Sequence, residues 1–198
     1  MSASGDRGGY RNKTPVALTF VMGWKGDGHA RTQASLQETP WSGLTIRYNT
    51  SENYKMVAVA VQEMWRHIGV EVKLENSEVK VHYNMLEQGD FDIGRAGWTA
   101  DYNDAQSFLL AFQSQAGVQN FGRYSNPEYD RIMQSAAATG DARARSDLLH
   151  RAEQMVLDDA AVIPIMYYIS KSLVQPYVHG WLSNVRNVHR ARYISLVN

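Results

Sequence analysis

The stretch from Leu44 to Glu75 constrains the fold of this chain more than any other. LTIRYN (44–49) has strand composition, Thr50 or Ser51 can cap a helix, and Val57, Val61, Met64, Trp65 and Ile68 then recur at helical spacing. Gly69 stops that helix, and VEVKLE (70–75) alternates apolar with polar residues, the pattern of a strand with one face buried. Strand, helix and strand at this spacing make a βαβ unit, whose two strands run parallel in one sheet with a right-handed crossover. The expected class is α/β.

The flanking segments extend the pattern. VALTFVM (16–22) reads as a strand, followed by a polar, Gly-containing loop from Trp24 to Ser42 with room for one helical turn. A second helix is expected over Glu78–Gln88; Gly89 and Asp90 then turn the chain into FDIGRAGW (91–98), a further strand. Ser125 or Asn126, with Pro127 in the first turn and Glu128 completing a capping box, opens another helix. Gly140 and Asp141 separate it from the next, whose apolar face is Leu148, Leu149, Ala152, Met155 and Val156. In AVIPIMYYI (161–169), Pro164 confines the strand to an edge or a bulge, and a last strand is expected near Tyr193–Val197. Residues 1–14 are Ser/Gly-rich and polar, are expected as a mobile arm or as the remnant of a longer chain that was cut, and carry no export signal, which leaves one domain over 15–198.

Charge and composition narrow the function classes. Lys+Arg and Asp+Glu are both 20, so the chain has no overall field with which to hold a nucleic acid or an anionic membrane. Apolar runs are only a few residues long, far short of the roughly 20 needed to cross a bilayer, so no membrane insertion is expected. With no cysteine, disulfides, zinc–thiolate sites and cysteine nucleophiles are excluded. The six histidines (His29, His67, His82, His150, His179 and His189) show neither an i, i+4 pair nor HExxH, so no metal is expected. No G-x-S-x-G elbow and no Gly-rich phosphate loop occurs, and neither a cofactor nor an enzymatic activity is expected.

One stretch stands out. WTADYNDAQSF (98–108) gathers Trp98, Asp101, Tyr102, Asn103 and Asp104 directly after a predicted strand end, where ligands sit in open α/β sheets. Asp101 beside two rings can hold a ligand ammonium, with the rings supplying shape and cation–π attraction, but the commoner role of such an aspartate is to cap the following helix while Trp98 fills the core. Arg95 faces a similar choice, between a ligand carboxylate and a structural pair with Asp92 or Glu87.

The run YNTSENYKMVAVAVQEMWRHIGVEVKLEN, followed by FDIGRAGWTADYNDAQSFL and by the segment from RYSNPEYD to PYVHGW, resembles the C-terminal lobe of the oligopeptide- and dipeptide-binding proteins that serve bacterial ABC importers. The resemblance covers residues 44–197, and the GWxADY block is its most specific part. It implies a single lobe of a periplasmic-binding-protein-like fold, a mixed, mostly parallel sheet flanked by helices. It also implies an oligopeptide ligand, the permease subunits of an importer as partners, and a periplasmic location. By the same resemblance Asp101 binds the peptide's α-amino group and Arg95 a peptide carboxylate, while Trp98, Tyr102 and the backbone at Gly97 and Thr99 line the pocket. Family members are more than twice as long and close two lobes over the peptide. Residues 1–43 align with nothing in that family, so a missing N-terminal lobe or a second copy is expected to face the cleft. Two rivals remain: another ligand on the same fold, such as a metal chelate, an opine or a haem, and a protein-interaction module that binds no ligand.

Overall fold

A computed structural model describes the backbone of residues 16–22 and, with side chains, residues 43–168, 172–182, 184 and 186–197. The arm expected over 1–14 and the loop expected over 24–42 lie outside the described residues. Seven strands and five α-helices occur among those described: β1 (Val16–Met22), β2 (Leu44–Asn49), α1 (Glu52–Arg66), β3 (Val72–Ser77), α2 (Val79–Gln88), β4 (Ile93–Thr99), α3 (Gln106–Leu109), α4 (Pro127–Ala138), α5 (Ala142–Asp158), β5 (Val162–Tyr167), β6 (Val178–His179) and β7 (Ser195–Leu196).

The βαβ unit forms as its pattern requires. β2 pairs in parallel with β3 along its whole length, from Leu44↔Val72 to Asn49↔Ser77, and with β4 only at Ile46↔Ile93 and Arg47↔Gly94. β1 lies antiparallel between β4 and β5, giving a five-stranded sheet of order β3-β2-β4-β1-β5 in which β1 alone runs against the rest. Pro164 sits on the edge strand β5, beside the register shift opposite Leu18 and Thr19, where its missing N–H costs no ladder bond.

Helices α1 and α2 cover opposite faces. Ile46 and Tyr48 of β2 pack with Ala58 and Val61 of α1, while Arg47, the residue between them, reaches Met85 of α2 at 3.4 Å. α2 closes on β4 through Leu86, Phe91 and Ala96, all buried. A third cluster joins α4 and α5 through Tyr129, Ile132, Met133, Leu149, Ala152 and Val156, with Leu148 and Met155 at its margin.

Three local expectations are corrected. Met64 and Ile68 were assigned to the buried face of α1 but are exposed, at 58% and 74%: Met64 stands on the flank of the Ala58–Val61–Trp65 stripe, and Ile68 lies past the helix end, before Gly69 at φ +82°. The cap of α4 is Asn126, whose side chain accepts from the Glu128 and Tyr129 amides. Glu128 therefore sits one position too early for a capping box, and pairs with Arg131 instead. Ser51 precedes α1 in extended conformation without a side-chain cap; Thr50 donates its hydroxyl to the Ser77 carbonyl and so ties the ends of β2 and β3 together.

Candidate functional site

The sheet order creates the site. From β2 the chain crosses to β3 on one side, whereas β4 lies on the other, so β2 and β4 are parallel neighbours whose connecting helices leave over opposite faces. Past Arg47↔Gly94 the two strands no longer pair, and a crevice opens beyond their carboxyl ends. A polar cavity of about 300 Å³ occupies it, lined by Asn49, Tyr54, Val79, Tyr83, Arg95, Gly97, Thr99 and Tyr168.

Arg95 is the centre of this cavity and is 4% exposed. Its Nη1 donates to Asn49 Oδ1 at 2.8 Å and lies 3.3 Å from the Tyr83 hydroxyl; its Nη2 donates to the Tyr168 hydroxyl at 3.1 Å. The guanidinium carbon stands 3.6 Å over the Tyr54 ring. Every one of these partners is neutral. Neither Asp92, which accepts from the Thr45 amide at 3.0 Å, nor Glu87 pairs with it, and among the described residues no carboxylate does. A buried cation held only by dipoles keeps its attraction for an anion, because nothing in the pocket has neutralised it. Burial pushes the Tyr168 hydroxyl up to about 12, so it stays protonated and adds no charge.

The loop after β4 holds the second charge. Asp101 is exposed, its amide donates to Ser107 Oγ at 2.7 Å, and among the described residues its carboxylate has no partner. Its neighbour Asp104 differs: Arg145 grips it in a bidentate pair at 2.6 and 2.9 Å, and it also accepts from the Gln106 amide at the start of α3. That arginine holds the Asp104 carboxyl below its ordinary range. Of the two acids in this loop, one is committed to the fold and the other is available.

Strand alternation divides the remaining sequence-predicted residues. Arg95, Gly97 and Thr99 share the polar cavity, whereas the side chains of Ala96 and Trp98 line a separate, apolar cavity of about 330 Å³ with Phe108, Phe112, Phe121 and Pro164. The structure therefore does not bring the Trp98 side chain into the pocket of Arg95. Tyr102 lies on the loop, 42% exposed, and lines neither cavity.

Asn49, Tyr54, Tyr83, Tyr168 and His82 were not found by sequence reasoning. His82 is fully buried behind β4, and its Nε2 meets the Arg95 carbonyl at 2.8 Å. The switch-point rule points to all of them, but only once the strand order is known. Among the described residues no group of three His, Asp or Glu could hold a metal ion, and no helix is long and apolar enough to cross a membrane.

The family model for bacterial extracellular solute-binding proteins, family 5 (its middle region), matches residues 22–120, which corrects the expectation that everything before Leu44 aligns with nothing in that family. The periplasmic oligopeptide-binding protein OppA of Haemophilus influenzae is 41% identical over 140 residues, 69% of this chain and 26% of that protein. The periplasmic murein peptide-binding protein MppA of Escherichia coli is 36% identical over 156 residues, 78% of this chain and 29% of that protein. Among solved structures, H. influenzae OppA in complex with RPPGFSPFR superposes with a TM-score of 0.80 at 25% identity, covering 97% of this chain and 50% of that one. E. coli MppA gives 0.81 at 24% identity over 98% and 50%, a likeness of fold. The chain thus spans about half the length of these solved structures and between a quarter and a third of the curated relatives.

Proposed function

Because the chain belongs to the bacterial extracellular solute-binding proteins of family 5, we propose that it forms one wall, the C-terminal lobe over residues 15–198, of a peptide receptor for an ABC importer. One observation carries this reading: the carboxyl end of β4 presents a buried cation and, six residues on, an exposed carboxylate, neither of them paired with an opposite charge among the described residues. A zwitterionic peptide supplies the complement of both. Its amine goes to Asp101 and its carboxylate to Arg95, while Gly97 and Thr99 leave room for the peptide main chain beside the strand. Bonds made to termini and backbone leave the side chains of the ligand unspecified, so many sequences are accepted. Trp98 contributes from the other face of β4, by packing the strand, and Tyr102 borders Asp101 on the loop.

The facing wall comes from an N-terminal lobe or from a second copy of the chain, and the closed complex is presented to permease subunits in the periplasm, where the OppA and MppA relatives act by name. The protein moves its ligand and makes no bonds. Alone, this lobe leaves Asp101 in solvent, where an ion pair contributes about 0–1 kcal/mol, so affinity on the order of millimolar is expected.

The test is an NMR titration with tri-alanine, its N-acetyl derivative and its C-terminal amide. Shifts confined to Asn49, Arg95, Thr99 and Asp101, weakened by either blocked end and by Asp101→Asn, support the reading. Shifts scattered over the chain, or equal response to all three peptides, refute it.

A further inference from the structure

We infer that His82 is a positioning residue for the anion pocket: its neutral imidazole, protonated on Nε2, holds the β4 backbone at Arg95 and so sets where the guanidinium stands. The inference rests on the reading of Arg95 given above and deepens it.

The geometry begins with the gap between β2 and β4. Pairing between them stops at Arg47↔Gly94, one residue before Arg95. At this point the Arg95 carbonyl takes a hydrogen bond from His82 Nε2, 2.8 Å away on α2. A carbonyl only accepts, so the ring must carry its proton on Nε2. The other nitrogen, Nδ1, is buried and has no partner among the described residues. A proton there would be a donor with no acceptor, in a fully buried ring faced by the guanidiniums of Arg95 on β4 and Arg47 on β2. Geometry and charge therefore select one tautomer and one protonation state, and burial accordingly keeps the imidazole below its ordinary range.

The next residue of α2 completes the grip. Tyr83 lies edge-on to the His82 ring at 5.3 Å and brings its hydroxyl to within 3.3 Å of Arg95 Nη1. Consecutive residues in the middle of one helix thus hold both ends of the arginine, His82 its backbone and Tyr83 its guanidinium. An arginine that meets a carboxylate through fixed N–H directions tolerates little displacement, so loosening one end weakens recognition of the anion more than it weakens binding in general.

The test compares tri-alanine with its C-terminal amide in three proteins. Wild type is expected to prefer the carboxylate by about tenfold, the scale of a charge-assisted hydrogen bond. His82→Phe, which fills the space without a donor, should bring the preference to about twofold with its circular dichroism unchanged. His82→Gln, which offers an amide N–H at similar reach, should restore most of it. Nitrogen-15 NMR of the wild-type ring should show the Nε2–H tautomer and no charge at pH 6.5, where an exposed histidine is about half protonated. A charged ring at that pH, or the Nδ1–H tautomer, overturns the inference, whether or not the Phe variant folds. So does a wild type with the carboxylate preference together with a Phe variant that retains it. A wild type with no carboxylate preference overturns the role of Arg95 and this inference together.

Discussion

Replacing Gly94 by alanine tests the contact that sets α2 against β4. A Cβ built on Gly94 would stand 3.1 and 3.3 Å from Phe91 Cδ2 and Cε2, and closer still to Leu86 Cδ2, whereas carbon atoms pack best at about 3.5–4.0 Å. Neither neighbour has free space, since Leu86 is 0% and Phe91 1% exposed. The backbone of Gly94 is not in the left-handed region, so chain entropy alone would make alanine stabilising, by about 0.4–1 kcal/mol. Overpacking opposes this with about 1–3 kcal/mol and should win. We expect net destabilisation of about 1–2 kcal/mol and a fall in Tm of roughly 2–8 °C, read by urea and thermal melts. Combining it with Leu86→Val, which removes the clashing methyl, should cost less than the sum of the two single changes. A Gly94→Ala protein as stable as wild type, or more so, would refute the close approach of helix and strand on which the positions of His82 and Tyr83 depend.

Two further outcomes follow from single contacts. Tyr129 is fully buried and donates to the Leu109 carbonyl at 2.6 Å, so Tyr129→Phe should lose about 0.5–1.5 kcal/mol in a urea melt by removing that hydrogen bond. Arg145 lowers the Asp104 carboxyl from 3.8, so this pair stabilises the fold fully above pH 3.8 and loses its contribution as the pH falls through the depressed native value. Asp104→Asn should flatten that part of the stability profile, measured as urea midpoints between pH 5 and pH 2, with little change in the response of Asp101 to peptide.

Much of this protein was legible in local sequence because local sequence carries the causes. The alternation of Val70–Glu75, the helical spacing of Val57, Val61 and Trp65, and the Asn126–Pro127 start signal each act over one or two turns of chain. The errors fell where a face or a register had to be chosen from outside. Nothing near Met64 says that it stands on the flank of the stripe that packs on the sheet, and nothing near Trp98 says which side of β4 will be polar. Asp101 and Arg95 were singled out as charges beside rings at a strand end, yet residue types alone favoured pairing Arg95 with Asp92 or Glu87.

What the sequence by itself determined is the α/β class, the order of elements and the two charges at the end of β4, because periodicity, capping and charge are properties of neighbouring residues. What only the tertiary structure decided is the order β3-β2-β4-β1-β5. That order splays β2 from β4, draws Asn49, Tyr54, Tyr83 and Tyr168 around Arg95 from up to 73 residues away, and seats His82 behind it. Such contacts are chosen by which faces must be buried against each other, a condition that the whole chain satisfies at once and that no short segment records.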